Sequence, residues 1–117
     1  MDSKHDCLFC DIAAKKIPAD IIHESENLIV FHDINPEAPL HCLIIPRIHI
    51  ATINDLNAKN SSIVGSMYEA AAEVAEKFNV AKKGYRVVMN CNKDAGQSVF
   101  HIHLHLLAGR QLSWPPG

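Results

Sequence analysis

Three histidines occupy alternate positions in the run His101-Ile102-His103-Leu104-His105-Leu106-Leu107. In an extended strand successive side chains point to opposite faces, so these imidazoles share one face at steps of about 6–7 Å. Ile102, Leu104 and Leu106 share the other face and are expected to pack on a core. Imidazole titrates near neutral pH, offers a lone pair or an N–H, and binds metals. A row of imidazoles therefore suits nucleophilic chemistry, and three His also suit zinc; spacing alone does not separate the two. A second reactive group is Cys7-Leu8-Phe9-Cys10, a C-x2-C pair compatible with metal binding or redox chemistry. The redox reading lacks the flanking βαβ pattern of a thioredoxin-like motif.

The elements that must position these groups follow from local pattern. Residues 7–16 form a short helical or irregular opening. Asp20–Glu24 and Leu28–His32 read as strands around the turn Ser25-Glu26-Asn27, and Asn35-Pro36-Glu37-Ala38-Pro39 is a loop by its two prolines. Leu40–Pro46 is rich in branched apolar residues and fits a buried strand. Between about Asn60 and Asn79 the period changes: Ile63, Met67, Ala71, Val74 and Phe78 recur three or four apart, which predicts a helix. Ser61 is its expected N-cap, and Gly84 lies beyond its end. Tyr85–Cys91 and Val99–Leu107 read as the last two strands, joined by the polar loop Asn92–Ser98. The expected fold is one α+β domain spanning 1–117. It has a mainly antiparallel sheet of about five strands, one long helix and a short N-terminal helix.

The formal net charge is −2, from 11 Lys plus Arg against 13 Asp plus Glu, with no basic run. A nucleic acid partner is therefore not expected, whereas a small phosphate-bearing ligand needs only a few local donors. Met1–Cys10 carries no signal-peptide pattern and no apolar run spans a bilayer, so a cytoplasmic protein with no membrane partner is expected. In that reducing setting the four Cys are not expected to form disulfides. Cys42 and Cys91 read as buried apolar residues.

The triad run matches the motif of the histidine triad family at every position, and the resemblance covers nearly the whole chain. Phe31-His32-Asp33-Ile34, His41–Pro46, Asn90, Gly96-Gln97-Ser98 and Trp114-Pro115-Pro116-Gly117 are similar in order and spacing to the Hint branch. Two small departures are Ala95 and Ala108, where many relatives carry Gly. The resemblance implies a homodimer that hydrolyses purine nucleoside phosphoramidates. Its expected contacts are the long helix and the Tyr85–Cys91 strand, with Trp114 near the partner's site.

By the same resemblance His103 is the nucleophile, oriented by a main-chain carbonyl, and attacks the α-phosphorus to form a nucleotidyl-histidine intermediate. His105, His41, Ser98 and Asn90 line the phosphate, with main-chain N–H groups of Gly96 and Gln97. Asp33 accepts from ribose hydroxyls, and Phe9, Ile22 and Ile34 enclose the base of an AMP- or GMP-type nucleotide. Taken singly, Gly96-Gln97-Ser98 is an ordinary turn and Asn90 a strand-end hydrogen bonder. His41 and Ile22 would be core, and Asp33 a turn residue. Each gains weight by falling in step with the triad.

Bacterial relatives imply the rest of the cysteine site: His49 and His101 complete Cys7 and Cys10 as a structural zinc set, with His5 a competing ligand. That leaves His103 and His105 free, and the scheme calls for no catalytic metal. Two other functions fit the same residues: hydrolysis of dinucleoside polyphosphates, and a non-catalytic nucleotide-binding or scaffold role. By the resemblance, His105 where the nucleotide-transferring branch usually carries Gln favours hydrolysis, the Trp-Pro-Pro-Gly ending favours the Hint branch over the polyphosphate one, and the intact triad argues against a dead enzyme.

Overall fold

The computed structural model describes residues 6–117, so His5 lies outside the described residues. The elements in chain order are α1 (Leu8–Ala13), β1 (Ile21–Glu24), β2 (Leu28–His32), β3 (Leu40–Pro46), α2 (Ser62–Lys77), β4 (Tyr85–Val88) and β5 (Leu104–Ala108). The strands form one antiparallel sheet in the order β1-β2-β3-β5-β4. This is the expected α+β architecture.

The two faces of the sheet separate structure from chemistry. Strand alternation sends Leu28, Val30, Cys42, Ile44, Leu104 and Leu106 to one face, where they meet Met67, Ala70, Ala71 and Val74 of α2. Ile102, Leu104 and Leu106 are essentially inaccessible, as the alternate-position reading requires. Burying a large apolar side chain of this kind contributes about 1.5–3 kcal/mol, so this layer holds the sheet flat against the helix. On the opposite face Ile29, Phe31, Leu43 and Ile45 pack with Cys7, Phe9 and Ile12 from the N-terminal segment. Arg47 ties that segment down: its guanidinium donates to Ala13 O at 3.2 Å and Ser25 O at 3.0 Å, and pairs with Glu24 at 3.0 Å.

Four local expectations are corrected. The histidine strand begins at Leu104 rather than Val99, because Pro46 has no N–H to offer at the point where β3 would extend the pairing. The β4 pairing ends at Val88 rather than Cys91. Ser61 precedes α2 in an αR conformation with no side-chain capping bond, so the helix starts without that device. Phe78 caps the helix end half-exposed, its ring edge-on to His32 at 6.0 Å, instead of filling the core. Beyond β5, Gly109 takes φ 96°, and a Cβ there would lie 2.8 Å from Pro39 Cβ, so the turn requires glycine.

Candidate active site and metal centre

The stretch before β5 leaves the sheet: it bends at residues 99–101, Ile102 N–H donates to Ile50 O at 2.7 Å, and the His101 carbonyl is turned to a side chain. His103 Nδ1 lies 2.8 Å from His101 O. A carbonyl only accepts, so Nδ1 carries the proton and Nε2 is left with its lone pair. His103 is buried and lines a cavity of about 270 Å³ with His105, Ser98, Asp33, Phe31 and Phe9. Burial pushes its pKa below the usual imidazole range, against the opposing pull of the His101 carbonyl and the Asp33 charge. A neutral imidazole with Nε2 unprotonated is the nucleophilic form.

His105 is set by a longer chain of bonds. The Glu37 N–H donates to His41 Nδ1 at 2.9 Å, so a neutral His41 carries its proton on Nε2. That N–H faces His105 Nδ1 at 2.9 Å and Asp33 Oδ2 at 3.4 Å. His105 Nδ1 therefore accepts, and its Nε2 is the protonated donor. Burial, then the neighbouring His103 and His41, push the His105 pKa down to about 4, so the ring is neutral at physiological pH. Asp33, His41 and His105 stand close enough to hold an ion. The Glu37 N–H, however, leaves His41 with a proton where a ligand needs a lone pair, so the group is a hydrogen-bonded relay.

A different tautomer governs His101. Its Nε2 lies 2.8 Å from Pro46 O and must donate, which turns the Nδ1 lone pair to Cys7 Sγ at 3.3 Å and Cys10 Sγ at 3.5 Å. His49 Nδ1 is 3.2 Å from Cys10 Sγ. The four ligand atoms all lie within 4.8 Å of one another. Two thiols and two imidazoles, with the His101 lone pair already directed at the thiols, form a donor set that fits a tetrahedral metal. The other ring nitrogen of His49 is buried and has no hydrogen-bond partner among the described residues.

The remaining expected site residues divide. Phe9, Ile34, Asp33 and Ser98 line the cavity, and Ile34 is 90 % exposed at its mouth. Ile22 does not line it: Ile21 pairs with Phe31 on the cavity face, so Ile22 points to the α2 core. Gln97 is buried and its amide is spent on the loop, accepting from Asn92 N–H and donating to Ala51 O and Val99 O. Gly96, at φ 82°, shapes the same loop. Asn90 and His41 do not line the cavity; His41 acts on His105 from behind. Leu8, Ile12, Ile17 and Pro18 form an apolar wall that the sequence reading missed. Ile17-Pro18 has no periodic partner, so no pattern points to it.

Fold and site together define an α+β domain that offers a tautomer-fixed imidazole to a cavity of nucleoside size, beside a Cys2His2 cluster. The family model described as scavenger mRNA decapping enzyme C-term binding matches residues 6–113. The purine nucleoside phosphoramidase of Escherichia coli strain K12 is 46 % identical over 105 residues, 90 % of this chain and 88 % of that protein. The crystal structure of a HIT family hydrolase from Legionella pneumophila superposes with a TM-score of 0.93 at 50 % identity, covering 95 % of this chain and 99 % of that one. A zinc-bound histidine triad family protein from Mycobacterium smegmatis gives 0.78 at 31 % identity, covering 92 % and 78 %. The chain belongs to the histidine triad superfamily, on its Hint-type branch.

Proposed function

We propose that the protein hydrolyses the P–N bond of purine nucleoside 5′-phosphoramidates through His103. The observation that carries this reading is the 2.8 Å contact of His103 Nδ1 with His101 O, which leaves Nε2 as a lone pair in a cavity lined by Asp33 and apolar residues. The likeness to the E. coli purine nucleoside phosphoramidase supports the substrate class. Nε2 attacks the α-phosphorus, the P–N bond breaks, and the nitrogen takes up a proton from solvent and leaves as the amine; the water of the second step gives that proton back. The nucleotidyl-imidazole keeps its Nδ1–H on the His101 carbonyl, which stabilises the positive ring. Water then attacks phosphorus, releasing the nucleoside monophosphate and restoring His103. His105 donates from Nε2 to a phosphoryl oxygen, and the Ser98 hydroxyl lines the same cavity. Asp33 receives the ribose hydroxyls; Phe9 and Ile34 flank the base.

Zinc is the proposed occupant of the Cys7, Cys10, His49 and His101 cluster, where it cross-links the N-terminal segment to the triad stretch and supports the fold. The name of the M. smegmatis structure supports the choice of metal. A homodimer belongs to the same reading, supported by the edge position of β4 and by Tyr68, 49 % exposed on α2. Among the described residues no helix is long and apolar enough to cross a membrane.

Comparing turnover of a fluorogenic adenosine phosphoramidate with that of a dinucleoside polyphosphate tests the substrate class. The phosphoramidate is expected to have the higher kcat/KM; a preference for the polyphosphate overturns the assignment.

A further inference from the structure

Phe9 sits between Cys7 and Cys10 in the first turn of α1, and it belongs to both sites. Its ring is edge-on to His101 at 6.0 Å and to His103 at 5.0 Å, and it also lines the cavity. Leu8 and Ile12 of the same helix line the cavity too. A helix of six residues does not hold itself together, since nucleation costs more than so few internal bonds return. Its placement therefore rests on tertiary anchors: the Cys7 and Cys10 thiols beside the imidazoles, Phe9 and Ile12 in the core, and Arg47 on Ala13 O. A second connection runs through the backbone, because His101 reaches the thiols with its ring and fixes His103 with its carbonyl.

We propose that metal occupancy and nucleotide occupancy are thermodynamically coupled through α1, with Phe9 the side chain that transmits the effect. The inference rests on the reading of zinc and purine nucleotide as the two ligands. A metal bound to both thiols orders α1 from one side, and a base lying against Phe9 and Leu8 orders it from the other. Whichever ligand binds first removes part of the ordering cost for the second. Linkage then requires each to tighten the other by the same factor.

The test measures the zinc Kd of the wild-type protein by competition with a chromogenic chelator, with and without saturating AMP. Zinc is expected to bind about fivefold or more tightly with AMP present. Phe9→Leu, which keeps an apolar side chain in the core but loses the ring beside the base, is expected to bind AMP more weakly and, at saturating AMP, to lose most of the effect, leaving a ratio below about twofold. A wild-type protein that binds zinc and AMP yet has the same zinc Kd in both conditions overturns the coupling and leaves both sites standing. Failure to take up zinc, or to bind AMP, overturns the underlying reading and the coupling with it. The full effect in Phe9→Leu overturns the role of Phe9 as the transmitting side chain.

Discussion

His101 and His103 are the same side chain two residues apart, on the same face of the same stretch, and they are prepared for different work. Each donates one ring N–H to a main-chain carbonyl at 2.8 Å. His101 uses Nε2, on Pro46 O, and keeps the Nδ1 lone pair for the thiols; His103 uses Nδ1, on His101 O, and keeps the Nε2 lone pair for the cavity. The role of each imidazole is thus decided by where a backbone carbonyl stands. Both carbonyls are available because the histidine stretch leaves the sheet before Leu104. His105, the third member, is set instead by another ring, His41, at 2.9 Å.

Substitutions break the comparison in graded ways. His103→Ala should lower phosphoramidate turnover by at least about a thousandfold while zinc content stays near one per chain, measured by steady-state kinetics and metal analysis. His41→Ala frees the His105 tautomer and should cost about a hundredfold in kcat. Loss confined to KM would instead mean that His41 serves binding. His101→Ala removes a fully buried member of the proposed zinc cluster and should abolish stoichiometric zinc and lower the Tm by about 10 °C or more.

Smaller effects sharpen the picture. The His105 pKa falls from the ordinary 6.5 to about 4 on folding, so the unfolded chain binds the extra proton first as pH drops. This contribution to stability is intact above about pH 6.5 and is lost progressively down to about pH 4, and a His105→Gln variant should show a flatter Tm profile over that window. Ile34→Ala should raise KM by about two- to fivefold with an unchanged Tm, since the side chain is exposed. Ile22→Ala should do the opposite, costing about 1–2 kcal/mol of stability with KM unchanged.

The division between legible and hidden features follows from the physics of each signal. Alternation in 101–107 exposes the face assignment of every residue there, because the period of two survives whether or not a strand is paired. Pairing itself depends on a partner far along the chain, so the point where β5 begins is not legible in residues 99–103. Phe78 matches the helical period by sequence, but the helix turns off at Lys77 and leaves it to His32. The Ile21–His23 irregularity in β1 has no marker in its residues, so it takes the register with Phe31 to show that Ile21 packs on the Phe9 side of the sheet and Ile22 on the α2 side. Gln97 shows the limit of motif reading: it falls in step with the triad in sequence, yet its amide is bonded to Asn92, Ala51 and Val99 rather than turned to the cavity.

The proposed reaction requires a covalent bond between His103 Nε2 and phosphorus. Rapid-quench trapping of wild-type protein with an α-³²P-labelled adenosine phosphoramidate, followed by peptide mapping, addresses it directly. An acid-labile adenylyl group is expected on His103, forming and decaying at rates compatible with turnover. Label on another residue, or full single-turnover product release with no labelled protein at any time, would contradict it.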